Sequence, residues 1–173
     1  KRSCFIGTIF DMHDHIDINL ESSLRWQIVQ FDDLDASLLY SILELRQSVF
    51  VVEQACPYLD LDGLDRIAVH IICTRNDAPI AYARSLAPAE NSDDSKLSRI
   101  VVSKDMRNFG IGNELVKRAI TNNLNAWPLH GVQISAQTYL IDFYETFGFR
   151  VIGSEYMEDG IPHIKMILDR NHN

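Results

Sequence analysis

No apolar run in this chain of 173 residues approaches the roughly 20 consecutive residues that a membrane-spanning helix requires. A membrane partner is therefore not expected. Cysteine is scarce: Cys4, Cys56 and Cys73 are widely scattered and form no C-x-x-C pair, which argues against a zinc ribbon or a thioredoxin-like site. The set fits a reducing compartment, so a cytoplasmic location is expected. Basic residues are few, 16 against 24 acidic ones, for a net charge of −8. A general nucleic-acid binder needs a basic face, and none is expected here. Internal repeats, low-complexity blocks and linkers are lacking too. With 46% hydrophobic and 23% charged residues, the chain reads as one domain with a continuous core.

The N-terminal segment Lys1–Ser23 is read as an extension, expected to be poorly ordered, with the folded domain over 24–170. Lys1-Arg2 before Cys4–Phe10 has the charge of a signal peptide, but the apolar part is short and no small-residue cleavage pattern follows. Met12-His13-Asp14-His15 fits a solvated tail better than a metal site. Beyond it, Arg25–Phe31 predicts a strand. Asp35–Val51 predicts a helix with Leu38, Leu39, Ile42, Leu45 and Val49 on one face. Ile67–Arg75 and Ile80–Leu86 predict two strands joined by the turn Asn76-Asp77-Ala78-Pro79. Pro88–Lys96 is a polar stretch read as a flexible loop.

Leu97–Gly112, reading LSRIVVSKDMRNFGIG, is the most informative stretch. The strand-like Ile100-Val101-Val102 leads through a short polar loop to Arg107-x-x-Gly110-x-Gly112, and an amphipathic helix over Asn113–Leu124 follows. A strand feeding a glycine loop that opens a helix builds an anion site, because the first helical N–H groups have no intrahelical partner and the helix dipole favours negative charge. The glycines allow close backbone approach. A phosphate or pyrophosphate is the expected ligand. The pattern is neither a G-x-x-x-x-G-K-[ST] loop nor a G-x-G-x-x-G fingerprint.

Downstream, Val132–Ala136 predicts a buried strand, Thr138–Phe147 a helix stopped at Gly148, and Phe149–Ile152 a further strand. His163–Leu168 predicts a last strand, with Pro162 suited to an edge or entry position.

The Arg107–Gly112 element resembles the [QR]-x-x-G-x-[GA] signature of the GNAT superfamily of N-acetyltransferases. Phe143-Tyr144-Glu145-x-Phe147-Gly148-Phe149 resembles the element that follows the coenzyme site in the same superfamily. Three further stretches are similar to the ElaA-type branch: Arg46-x-x-Val49-Phe50 through Asp65 with His70 beyond, Ser135-Ala136-Gln137, and Glu158-Asp159-Gly160-Ile161-Pro162-His163. The resemblance spans Trp26 to Leu168. It implies an α/β (α+β) GNAT fold, with a mixed, mostly antiparallel twisted sheet of six or seven strands, flanked by helices and splayed at an acetyl-CoA site.

The activity implied is acetyl transfer from acetyl-CoA, without a metal, to a primary amine of unidentified identity. The chain's negative field favours such an acceptor modestly. The coenzyme's arm is expected along Ile100, Val101 and Val102, and its pyrophosphate at the backbone of Asn108, Phe109, Gly110, Ile111, Gly112 and Asn113. Arg107 or Lys117 is expected to add charge-assisted contacts. Gln137 stands where many relatives carry an asparagine that contacts the arm. Tyr144 matches the tyrosine that protonates the departing thiolate, a role suited to a phenol. A homodimer is also consistent with the family.

For the general base there are three candidates. Glu53 follows an apolar run whose burial would raise its pKa. His70 sits in a predicted strand and His163 in a Pro-His-Ile turn; each has an alternative role in holding the fold. Asp60, Asp62 and Asp65 do not register with a calcium loop, because Gly63 as its glycine puts Tyr58 and Val69 at ligand positions. They are expected to bond loop backbone or line an acceptor entrance. Cys56 is read as structural. Two rival readings stay open, a non-catalytic acyl-CoA sensor and an enzyme like the acyl-homoserine lactone synthases.

Overall fold

The computed structural model describes residues 22–90 and 92–170. The Met12–His15 cluster, Cys4 and nearly all of the expected extension lie outside them. Seven strands form one sheet in the order β1-β2-β3-β4-β5-β7-β6. They are β1 (Leu24–Gln30), β2 (Val69–Arg75), β3 (Ala78–Leu86), β4 (Asp94–Val102), β5 (Gly131–Gln137), β6 (Arg150–Glu158) and β7 (Ile161–Leu168). Every neighbouring pair is antiparallel except β4 and β5.

Alternation along the strands assigns the two faces. Ile71, Cys73, Ala81, Ala83, Leu97, Val132, Ile134 and Ala136 share one core with helix α2 (Ile111–Ala126), through Ile111, Leu115, Val116 and Ala119. Helix α3 (Ile141–Glu145) adds Phe143 and Tyr144 to it. On the opposite face, Ile72, Tyr82 and Val101 pack against Ile42, Leu45 and Val49 from α1 (Ala36–Arg46) and the turn after it. Asp35 caps α1 by accepting from the Leu38 N–H at 2.8 Å.

Local differences from the sequence reading have physical causes. The expected helix over Asp35–Val51 is α-helical only to Arg46 and widens into a π-helix over Gln47–Glu53. The helix expected over Thr138–Phe147 begins as a 3-10 turn, Thr138–Leu140. The last part of the expected Pro88–Lys96 loop is strand, because β4 starts at Asp94. Polar residues there are satisfied inside the fold: Asn123 of α2 donates to Ser95 Oγ at 2.9 Å, and Ser95 Oγ donates to the Gly131 carbonyl at 2.9 Å. Ser85 Oγ completes this buried network by donating to Asn123 Oδ1. Pro162 is not on an edge strand, since β7 lies between β5 and β6; it enters the strand just before the β5 pairing starts at His163.

Candidate active site

The parallel pairing of β4 with β5 covers only Asp94–Lys96 against Gly131–Gln133. Gly131 is required for that approach, since a Cβ would stand 2.6 Å from Asp94 Oδ1 and 2.8 Å from the Leu168 carbonyl. Beyond Lys96 the strands part. On its other side β4 carries a bulge: Tyr82 faces Val101 and Arg84 faces Ser98, so Arg99 and Ile100 together oppose Ala83. Arg99 has φ +53°, a left-handed conformation that a non-glycine residue rarely adopts. The bulge bends β4 away from β5 and leaves the edge from Leu97 to Val102 without a strand partner on that side.

A cavity of about 310 Å³ fills the opening, with Ile100, Ser135, Gln137, Tyr144, Glu158 and His163 in its wall. Cys56, Tyr58, Lys96 and Arg99 line it as well. Gln137 Nε2 donates to Gln54 Oε1 at 3.3 Å, while Gln137 Oε1 is buried with no hydrogen-bond partner. An acceptor left unmet at a cavity wall marks a place where a ligand donor fits.

The loop after β4 has the shape the glycines predict. Asn108 and Gly110 are left-handed, at φ +66° and +74°. Gly110 is the N-cap of α2 and supplies no side-chain cap. The Glu114 N–H donates to the Gly110 carbonyl at 3.2 Å, so the N–H groups of Ile111 and Gly112 have no carbonyl of the helix to reach. Side chains there point to packing rather than capture: Ile111 and Asn113 are buried, Phe109 is half exposed. Val101 and Val102 are likewise buried, which leaves the backbone edge as their means of contact.

Arg107 corrects the sequence reading. Its guanidinium is buried and committed inside the protein, with Nε donating to the Val102 carbonyl at 3.2 Å and Nη1 and Nη2 to the two carboxylate oxygens of Glu53 at 2.6 and 2.9 Å. It closes the loop onto β4 instead of extending toward a phosphate. Lys117 lines a separate hollow between α2 and Ile28 of β1.

The three candidate bases separate in space. Glu53 is engaged through both oxygens by Arg107 and does not line the cavity, although Phe50 and Gln54 beside it do. His70 is outside the cavity and fully used: Nε2–H donates to the Asp65 carbonyl at 3.0 Å and Nδ1 accepts from the Tyr82 hydroxyl at 2.9 Å. Burial holds its pKa below the usual histidine value. It is a satisfied core histidine. His163 does line the cavity, and its Nδ1–H donates to the Ile161 carbonyl at 2.9 Å. A carbonyl only accepts, so that bond fixes the neutral tautomer with the Nε2 lone pair left for chemistry.

Tyr144 lines the same cavity from α3, packed edge-on against Phe143 and Phe149. Burial pushes its phenol up, so it stays protonated. Ser135 and Glu158, noted in the sequence only as parts of motifs, line the cavity together, and Tyr156 beside them was missed. Tyr156 and Ser135 share a short hydroxyl–hydroxyl contact, and Ser135 Oγ donates to Glu158 Oε2 at 3.0 Å. The available signal was Ser135 itself, a polar residue alternating with buried Ile134 and Ala136.

The aspartates of the loop before β2 bond three arginine side chains. Arg46, wholly buried, reaches Asp60 and Asp65 at 2.8 Å each. Arg84 reaches Asp62 at 2.7 Å and Asp65 at 3.0 Å, and Arg99 reaches Asp60 at 2.6 Å. Tyr58 donates to Asp60 at 3.0 Å. Cys56 Sγ–H donates to the Asp159 carbonyl at 3.0 Å, tying this loop to the β6–β7 turn. These ion pairs fix the loop before β2 against the sheet.

Residues 58–170 match the Acetyltransferase (GNAT) domain family. The chain belongs to the GNAT acetyltransferases. It is 39% identical to the ElaA protein of Escherichia coli over 83% of this chain and 95% of that one. It is 40% identical to a UPF0039 protein of Synechocystis over 84% and 95% of the two chains. An acyl-CoA N-acyltransferase structure from Pseudomonas aeruginosa superposes with a TM-score of 0.80 at 38% identity, covering 84% of this chain and 99% of that one. The GNAT chain described here is thus an acyltransferase of the ElaA type, whose cosubstrate class is an acyl-CoA. The unpaired β4 edge, the glycine loop and the unmet Gln137 acceptor fit such a molecule. Among the described residues no cluster of metal-ligating side chains occurs, and no helix is long and apolar enough to cross a membrane.

Proposed function

We propose that this GNAT chain transfers acetyl from acetyl-CoA directly to a primary amine. The observation that carries the reading is the coincidence, in one cavity at the β4–β5 split, of a protonated phenol (Tyr144) and an imidazole with a fixed free nitrogen (His163). The arm of the cosubstrate lies along the unpaired edge of β4 as a pseudo-strand, and the N–H groups at the start of α2 meet its pyrophosphate.

The acceptor enters as an ammonium ion and loses a proton to His163 Nε2, directly or through one water. The neutral amine attacks the thioester carbonyl, the C–S bond breaks as the tetrahedral intermediate collapses, the thiolate takes the phenolic proton of Tyr144, and the excess proton on the attacking nitrogen leaves through solvent and restores the phenol. No acyl-enzyme is needed, and Cys56 keeps its structural bond.

Calorimetric titration with acetyl-CoA, followed by a thiol-release screen over amines, tests the proposal. Binding with release of free coenzyme A is the expected result. Binding without release from any amine would point to a sensor, and no binding would overturn the assignment of the glycine loop.

A further inference from the structure

The acceptor side of the cavity is bipolar. Glu158, which accepts from Ser135 at Oε2 and interacts with Tyr156, stands on one wall with His163 close by on the paired strand, since Glu158 faces Ile161 across the β6–β7 hairpin. Lys96 lines the same cavity. It faces Gln133 and is the last residue of β4 paired to β5, so it marks the floor of the split. Arg99, the other cation in the lining, is held by Asp60 and Asp62. Lys96 makes no ion pair among the described residues, although the chain carries an acidic excess. Lys165 repeats the pattern: it is the register partner of Ser135, hence on the same sheet face, exposed and also without an ion pair among the described residues.

We infer that the acceptor is a small zwitterion, an amine that also bears an anionic group of the amino-acid type, with Lys96 anchoring the anion and Glu158 drawing in the ammonium end. This deepens the proposed acetyl transfer and rests on it. Lysine suits the task, because an uncompensated ammonium group beside a carboxylate or phosphonate gives a charge-assisted bond that a neutral analogue cannot form. Glu158, on the β6 wall beside His163, orients the ligand so that the end carrying the nucleophile faces His163. A peptide N-terminus or a polyamine offers no anion beside the amine and meets Lys96 unfavourably.

The test compares kcat/KM of the full chain for matched acceptors: an α-amino acid, its primary amide, and the corresponding aminophosphonate. The anionic acceptors are expected to exceed the amide about tenfold or more, with carboxylate against phosphonate identifying the anion. In Lys96→Met the ratio of acid to amide falls below about threefold, and Lys96→Arg restores it. Equal or better use of the amide by the native protein, or a ratio unmoved in Lys96→Met, overturns the inference while acetyl transfer stands. Turnover of neither member of any pair also overturns it, and acetyl-CoA titration on that sample reports separately on the cosubstrate site.

Discussion

Arg107 grips both carboxylate oxygens of Glu53, joining the glycine loop to the end of the π-helix that follows α1. The bidentate pair ties the glycine loop to the segment whose Phe50 and Gln54 line the cavity, and Arg107 is buried. The arginine of the family signature therefore acts here as a brace. Arg107→Met leaves the Glu53 carboxylate unpaired and is expected to cost about 2–3 kcal/mol in urea unfolding. Arg107→Lys restores only part of this, because an ammonium group cannot reproduce the fork. Glu53→Gln is expected to lower stability but to reduce kcat less than tenfold. A collapse of kcat with stability intact would return Glu53 to the role of base.

Tyr144→Phe removes the proposed proton donor and leaves the ring packing against Phe143 and Phe149. Turnover is expected to fall about 100-fold or more, with acetyl-CoA affinity held within a factor of about two. A native rate in stopped-flow thiol release would assign the tyrosine to packing alone.

His163→Gln removes the lone pair in the cavity. It is expected to lower kcat/KM for the amine by about 100-fold while leaving acetyl-CoA affinity unchanged. A native kcat/KM in the variant would place the base elsewhere.

Asp65→Ala strips a shared carboxylate from two buried arginines, Arg46 and Arg84. The loss is expected to be about 3–5 kcal/mol, because two guanidinium groups lose a charge partner within the fold. Chemical denaturation measures it directly, and a loss under about 1 kcal/mol would mean that the remaining aspartates carry the charge.

Acid titration should destabilise the fold in two steps. Burial lowers the pKa of His70 in the folded protein, so its contribution is complete above the unfolded value of about 6.5 and erodes as pH falls below it. Asp62 is held low by its bond from Arg84. For Asp65, burial pushes the pKa up, but Arg46 and Arg84 outweigh it. Both carboxylates stabilise the fold above about 3.9 and cease to do so as pH drops through their depressed values. Urea midpoints at about pH 8, 6 and 4.5, all above the carboxylate step, resolve the first decline. His70→Gln should flatten that decline; its persistence in the variant would assign it to another group.

Much of the fold was legible because period and punctuation are local. The seven strands, the amphipathic stripe of α2 and the left-handed turn at Gly110 follow from alternation, helical spacing and glycine's tolerance of positive φ. The first half of β4 was hidden, since Ser95 is polar and belongs in a strand only because Asn123, many residues away, satisfies its hydroxyl. The π-helical turn at Gln47–Glu53 was hidden too, as the apolar run there is equally compatible with an ordinary helix.

What the sequence determined by itself was the family and the chemistry that family performs, because the glycine loop and the Phe143–Phe149 stretch are short-range patterns whose function depends on neighbours in the chain. What only the tertiary structure decided was the choice among the polar residues. His70 and His163 are both histidines near apolar partners in the sequence, yet one has both nitrogens bonded in the core and the other faces a cavity. The signature arginine faces a glutamate that lies far from it in the sequence. A side chain's partner is set by the sheet order and by the split between β4 and β5, and these arise from long-range packing that no local pattern encodes.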